Sequence, residues 1–298
     1  MFIDLLLISF IKLFQQFLSL LPESGQRLTG LTFGRFAFFA LKKRRAVAVE
    51  NIRRVFKHFD HREATDVAQR CFENLGINFI ETLVLPSIPK ERYGERFTIE
   101  HLEHFENALK LKRGVLGLVF HYANWEIMGV TSWFLKNPII ALARPLKGHR
   151  LLNDFLNRLR MSTGLTIIPN ADTGRDVIRY LRENRIIGIL GDQREKRSKG
   201  VYVDFFGDAV PTNRGIAAIA MRTGVPVVPF HFVREGFLKY RIVCSPPIEM
   251  ERKGDIEELI HRNTRKINAF LETLIIQNPS EWFWVHRRWG REKSGKRR

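Results

Sequence analysis

His121 and Glu126, separated by four residues, are the side chains of this sequence whose types and spacing best suit chemistry. A neutral imidazole can take a proton from a hydroxyl when one ring nitrogen is free. A carboxylate bonded to the other nitrogen fixes that tautomer and stabilises the imidazolium formed. General-base help of this kind is typically worth about a hundred- to ten-thousand-fold in rate. The preceding run, Gly114 to Phe120, is apolar and bounded by Gly, the pattern of a strand buried on both faces, so His121 would sit at its carboxyl end. Asn124 reads as a helix N-cap, which puts Glu126 in the first helical turn. Open α/β sheets bind ligands at this rim. On spacing alone the plainer alternative is the better one: an ordinary surface histidine and a favourable first-turn charge.

The elements that would position these residues alternate. After Glu126 the pattern gives a helix to about Leu135, a strand Ile139 to Ala143 and a basic amphipathic helix Arg150 to Ser162. A strand Leu165 to Ile168, a helix Asp172 to Glu183 and a strand Ile186 to Leu190 follow. This β–α alternation predicts an α/β fold with a doubly wound, largely parallel central sheet flanked by helices. Asp192 leaves the last of these strands at the same kind of edge that carries His121. Val201 to Phe206 alternates like a strand, and Pro211-Thr212 is expected to open a helix over Asn213 to Arg222. Val225 to Val233 and Tyr240 to Cys244 read as neighbouring strands, and Asp255 to Ile276 as a long amphipathic helix. Upstream, residues 46 to 85 repeat apolar positions every three or four residues and read as packing helices without chemistry. Phe205-Phe206-Gly207 fits an acyl slot or plain core packing.

Net charge is +18, with two distant cysteines, Cys71 and Cys244. The cysteines exclude a disulfide framework and a cysteine metal cluster, while the charge calls for an acidic partner: phosphate-rich lipid, an acidic carrier protein or nucleic acid. His101 and His104 have no Cys or carboxylate partner at a metal-ligand spacing and read as solvated surface. Residues 1–22 form an apolar segment with Asp4, Lys12, Gln15, Gln16 and Ser19 as a sparse polar stripe, expected either to span a membrane or to lie in its surface. Lys42, Lys43, Arg44 and Arg45 follow closely, which favours the cytoplasmic face. The division expected is this membrane-associating helix, a helical segment 23–112, an α/β core 113–290 continuous with it as one structural domain, and a basic tail 291–298. The loop Arg194 to Lys199 suits phosphate binding or a solvated turn, and Trp282 to Trp289 interleaves indole and guanidinium groups in a way that suits a lipid interface or single-stranded nucleic acid.

The hexapeptide His121-Tyr122-Ala123-Asn124-Trp125-Glu126 resembles the H-x4-D/E box of the glycerolipid acyltransferase superfamily, and most closely its bacterial lipid A late acyltransferase branch. The resemblance continues through Ala143-Arg144-Pro145, Asn157-Arg158-Leu159-Arg160, Leu190-Gly191-Asp192-Gln193, Val203-Asp204-Phe205-Phe206-Gly207, Thr223 to Pro229 and Trp284 to Trp289. It implies transfer of a fatty acyl group from a thioester, acyl carrier protein or alternatively coenzyme A, to a hydroxyl of a lipid A precursor or related phosphoglycolipid. A mannosyl-inositol lipid or an aminolipid stays open as acceptor. By the same resemblance His121 is the base, Glu126 orients it, Arg158 and Asp192 support the site, and Arg144, Arg194, Arg287 and Arg288 are candidates for phosphate or lipid. No resident cofactor and no metal are implied, and the cytoplasmic face of the bacterial inner membrane is the expected location. The sequence departs from the branch in carrying Gln193 after Asp192 and in being compact. The rival readings are a His/Glu-dependent lipid or thioester hydrolase and a basic nucleic-acid-binding protein, the latter without a recognisable nucleic-acid motif.

Overall fold

Seven strands form the central sheet, in the order β1 (Phe97–Glu100), β9 (Lys239–Cys244), β8 (Val227–Gly236), β2 (Val115–Val119), β5 (Ile186–Leu190), β3 (Ile139–Ala143) and β4 (Thr166–Pro169). This computed structural model describes residues 2–143, 146–169, 173–196 and 198–290. Arg144, Asp172 and the tail 291–298 lie outside them. Neighbouring strands run parallel except β8 and β9, which pair antiparallel, so the mostly parallel sheet expected from the alternation is present. Every residue of β2 is buried, as its uninterrupted apolar run requires of a strand covered on both faces. β1 lies within the segment 23–112, where Phe97 to Ile99 read as a short element apart from the helices, and is an edge strand of this sheet.

Two local expectations are corrected. The helix expected from Pro211 is instead preceded by a strand, β7 (Asp208–Thr212), which folds back on β6 (Val201–Phe205) as a separate two-stranded ribbon. α9 starts only at Gly215 and runs to Thr223. Pro211 is tolerated there because its carbonyl, and with it its nitrogen, faces away from β6: the carbonyl accepts from the Glu195 N–H at 3.0 Å, and the missing N–H costs no bond to β6. Asn124 is not a helix cap either. Residues 125–127 form one 3-10 turn, α6 begins at Gly129 and runs to Leu135, and the Asn124 side chain turns inward.

The remaining helices are α1 (Phe2–Ser19), α2 (Glu23–Ala40), α3 (Lys42–Val55), α4 (His61–Val84), α5 (Glu103–Lys110), α7 (Arg150–Ser162), α8 (Thr173–Arg182) and α10 (Ile256–Gln277). α4 begins on a reciprocal cap between Asp60 and Glu63, and α10 on the Asp255 carboxylate. α1 is long and apolar enough to cross a bilayer, yet it rests on the body of the fold. Asp4 is buried and accepts from His149 Nδ1 at 2.7 Å and from the backbone N–H groups of Leu151 and Leu152 at 3.1 and 3.4 Å. It thereby satisfies donors that the first turn of α7 would otherwise leave unpaired. Gln15 donates to the carbonyl of Leu83 at 2.8 Å, at the end of α4.

α2 and α4 cross so closely that their backbones touch at glycines. A Cβ on Gly76 would lie 2.2 Å from the Gly30 carbonyl oxygen, and one on Gly34 would lie 2.3 Å from that of Phe72. Backbone cannot swing aside as a side chain can, so Gly76→Ala is expected to cost roughly 1–3 kcal/mol or more. Gly174→Ala, on an open face of α8, should be neutral or stabilise by up to about 1 kcal/mol. Urea midpoints of the two variants check this; equal midpoints would mean that the crossing can spread at no cost.

Candidate active site

β2 and β5 pair in register, with Val119 opposite Leu190. Two residues beyond that last pair, on either strand, come His121 and Asp192. The register therefore delivers an imidazole and a carboxylate side by side. His121 Nδ1 lies 2.7 Å from Asp192 Oδ1. Oδ2 accepts from the His121 backbone N–H at 3.0 Å and from Trp282 Nε1 at 2.9 Å. Both side chains are nearly enclosed, 10% and 3% exposed, which makes the pair depend on each other rather than on water. With Nδ1–H donating to the carboxylate, Nε2 carries the free lone pair. Gln193 Nε2 lies 3.1 Å from that nitrogen. The rings of Trp125 and Phe283, at 4.9 and 5.7 Å, wall the imidazole.

Burial pulls the His121 pKa down, but the charge and hydrogen bond of Asp192, with a further contribution from Glu126, carry it above the ordinary histidine value. For Asp192 burial acts upward and is outweighed by His121 and by the Trp282 and backbone donors, so its carboxyl is held below the usual range. Both shifts favour the charged pair.

Glu126 makes no hydrogen bond to His121. It is bound in a two-pronged pair by Arg160, with Nε to Oε2 at 2.8 Å and Nη2 to Oε1 at 3.1 Å, a geometry that commits both carboxylate oxygens. The spacing argument placed Glu126 on a regular helix returning toward the histidine. The 3-10 turn instead aims it at α7, and its effect on the imidazole is through charge alone. Arg158, two residues before Arg160, is exposed, and Asp192 holds His121 rather than Arg158. The residues sequence reasoning missed as partners are therefore Asp192 for the histidine and Arg160 for Glu126. The equal offset of His121 and Asp192 from the ends of two apolar strands was the available signal for the first; a helix phase read for α7 against the 3-10 turn would have been needed for the second.

The loop after His121 is held from below by α4. Ala123, with φ at 49°, gives its carbonyl to Asn78 Nδ2 at 2.7 Å. Asn124 Nδ2 donates to Glu81 at 2.9 Å. Glu81 is wholly buried and also accepts from Arg234 at 2.6 Å, Tyr240 OH at 2.6 Å and the Leu238 N–H at 2.8 Å. A buried carboxylate so supplied with donors is tolerable where an unpaired one would not be. From the other side the carboxy-terminal segment closes over the loop: the Glu281 carbonyl accepts from Ala123 N–H, and Phe283 N–H donates to the His121 carbonyl.

The other candidates divide. Arg288 is fully buried. It lies 4.9 Å above the Phe205 ring and donates to Thr212 Oγ1 at 2.7 Å and to Asn268 Oδ1 at 3.3 Å, and burial drags its pKa down to about 10. Trp282 and Trp284 are buried with it. These residues brace the core, and the interleaving of indole and guanidinium that resembled a lipid or nucleic-acid surface arises from internal packing. Phe205 is likewise core. Arg194 is partly buried beside Gly290, and Arg287 is partly exposed. His101 and His104 do have a carboxylate neighbour: with Glu103 they bring their ligand atoms within 4.8 Å on the surface.

Comparison with known proteins puts this chain, with its histidine–carboxylate pair, among acyltransferases. The chain belongs to the bacterial lipid A biosynthesis acyltransferase family, which it matches over residues 3–291. It is 29% identical over 224 residues to the phosphatidylinositol mannoside acyltransferase of Mycolicibacterium smegmatis, covering 73% of this chain and 70% of that protein. It is 24% identical over 270 residues to the lipid A biosynthesis palmitoleoyltransferase of Escherichia coli, covering 90% and 86%. With the lauroyltransferase of the same organism identity is 23% over 274 residues, covering 89% and 85%.

Asp192→Asn tests the pair. An amide must turn its NH2 either toward Nδ1, enforcing the tautomer with a proton on Nε2, or toward the two N–H donors now held by Oδ2. We expect acyl transfer to fall on the order of 10³–10⁴-fold. In the wild type the acid limb of the pH–rate profile should lie above about 6.5, since the base works only once deprotonated and its pKa is raised. In Asp192→Asn the charge that raises it is gone while burial remains, so the limb should move to lower pH. An unmoved limb would show that another group titrates.

Proposed function

We propose that this protein moves a fatty acyl group from a thioester donor to a hydroxyl of a membrane phosphoglycolipid, with His121 as general base. The observation that carries this is the enclosed pair, in which Asp192 binds Nδ1 and leaves Nε2 basic among apolar rings. The acceptor hydroxyl gives its proton to Nε2 as its oxygen attacks the thioester carbonyl. Collapse breaks the C–S bond, and the imidazolium returns the proton to the departing thiolate. No acyl-enzyme forms, and no resident cofactor enters. The relatives' names cover both lipid A and phosphatidylinositol mannoside acylation, which supports a phosphorylated, sugar-bearing acceptor and leaves a lipid A precursor and a mannosyl-inositol lipid as the two to compare. Acyl carrier protein is the donor we favour for so basic a chain, with coenzyme A the alternative.

Location at the cytoplasmic face of the inner membrane belongs to the same proposal. Phe2, Phe10, Leu13 and Leu20 along or just beyond α1, and Phe36 and Phe39 on α2, are more than half exposed, which suits burial in acyl chains. Because Asp4 and Gln15 tie α1 to α7 and α4, we favour a helix lying in the surface over one that spans.

Incubating the protein with acyl carrier protein or coenzyme A thioesters and each acceptor, followed by mass spectrometry, tests the reaction. Acylated glycolipid is expected, with His121→Ala slower by about 10²–10⁴-fold. Free fatty acid as sole product would make it a hydrolase, and salt-sensitive nucleic-acid affinity indifferent to His121 would favour the other rival. Phe10→Glu with Leu13→Glu should weaken flotation with anionic vesicles while leaving the fold intact; unchanged flotation would place the membrane contact elsewhere.

A further inference from the structure

The general base accounts for one of the two charges that acyl transfer creates. The other is the oxyanion that forms on the thioester carbonyl as the hydroxyl oxygen bonds to its carbon. A water-poor site stabilises that charge with a hydrogen-bond donor already in place. Around the His121 imidazole, Asp192 supplies no N–H, Trp125 and Phe283 supply rings, and Arg160 is committed to Glu126 by two bonds. Among the described residues, the side-chain donor within hydrogen-bond distance of Nε2 is Gln193, whose carboxamide nitrogen lies 3.1 Å away.

We propose that Gln193 is the oxyanion donor of this site. Its backbone follows directly on Asp192, whose carboxylate is held by three donors, and the Gly191 N–H is bonded to the Val119 carbonyl at 2.9 Å. The amide therefore starts from a fixed base, while the residue itself is exposed and free to turn at its tip. In the resting enzyme the carboxamide rests on the Nε2 lone pair and keeps water from it. An acceptor hydroxyl that takes this lone pair displaces the amide by about one hydrogen-bond length. The N–H then faces the oxygen of the carbonyl under attack. The hydroxyl proton goes to Nε2, the C–O bond forms, and the carbonyl electron pair moves to the oxygen that Gln193 holds. When the C–S bond breaks, that pair returns and the thiolate leaves with the proton from His121.

The assignment rests on the acyl-transfer reading above, and steady-state kinetics on the full chain with vesicle-borne acceptor and one thioester donor tests it. Gln193→Ala is expected to lower kcat by about 10²–10³-fold with both KM values nearly unchanged. Gln193→Glu, which replaces the donor with a negative charge, should be at least as slow. Gln193→Asn, keeping an amide on a shorter arm, should recover part of the rate. The acid limb of the Gln193→Ala profile should stay where the wild type has it, because the His121–Asp192 pair is untouched, whereas Asp192→Asn moves it. A Gln193→Ala enzyme as fast as or faster than an active wild type would show the amide to be a plug over the base and overturn the assignment alone. A change confined to KM would overturn it too, as would a displaced acid limb. A wild type that transfers no acyl group to any acceptor removes the functional reading and this assignment with it.

Discussion

The hydrogen bond between His121 and Asp192 is the contact on which the arrangement of this molecule depends. It is made possible by sheet register rather than by any local motif: two parallel strands pair residue for residue and release their chains at the same height. A one-residue slip would turn every side chain of the strand to the opposite face, burying the imidazole in the sheet's flank and breaking the pair. The continuous burial of β2 makes that slip costly, since all five of its residues, Gly117 included, are matched to what covers them. Core packing and the geometry of the proposed catalytic pair are thus the same constraint seen at two positions along one strand.

What surrounds the pair is unusually polar for its depth. Glu81, Arg234, Tyr240, Asn78 and Asn124 form a buried network that fixes the backbone immediately after the histidine. Burial would push the Tyr240 hydroxyl well above its usual value, and the adjacent carboxylate does the same, so it stays a donor. The left-handed turn at Ala123 is strained for a residue with a Cβ, and the Asn78 bond to its carbonyl is what such a turn needs in order to persist.

The α/β class, its nearly all-parallel sheet and the strand ends carrying His121 and Asp192 were legible because burial on two faces leaves an unmistakable apolar run. The partner of the histidine was not. H-x4-E suggests a carboxylate returning on a helix, and helical phase is read from side-chain periodicity, which a single 3-10 turn at Trp125 to Ile127 does not follow. The carboxylate that serves lies 71 residues away, and only sheet register connects the two. β7 was missed because Pro211 looked like a helix start, while an edge strand accepts it equally well. The terminal Trp and Arg residues misled for a related reason: sequence gives their chemistry but not their depth, and Arg288 with Phe205 and Thr212 resolves to a stacked, hydrogen-bonded plug.

That depth has a bearing on the order in which the parts of the fold can come together. Asp192 takes one of its three donors from Trp282, and the His121 carbonyl is held by Phe283, so the two halves of the pair are steadied by a segment that follows the last strand of the sheet and α10 in the chain. A nascent or prematurely terminated polypeptide can assemble every strand of the sheet and still lack the clasp that aligns its imidazole. Alignment of the pair in this way waits on chain that docks after the sheet is built, and products that stop short of Trp282 carry the residues of the pair without its full set of donors.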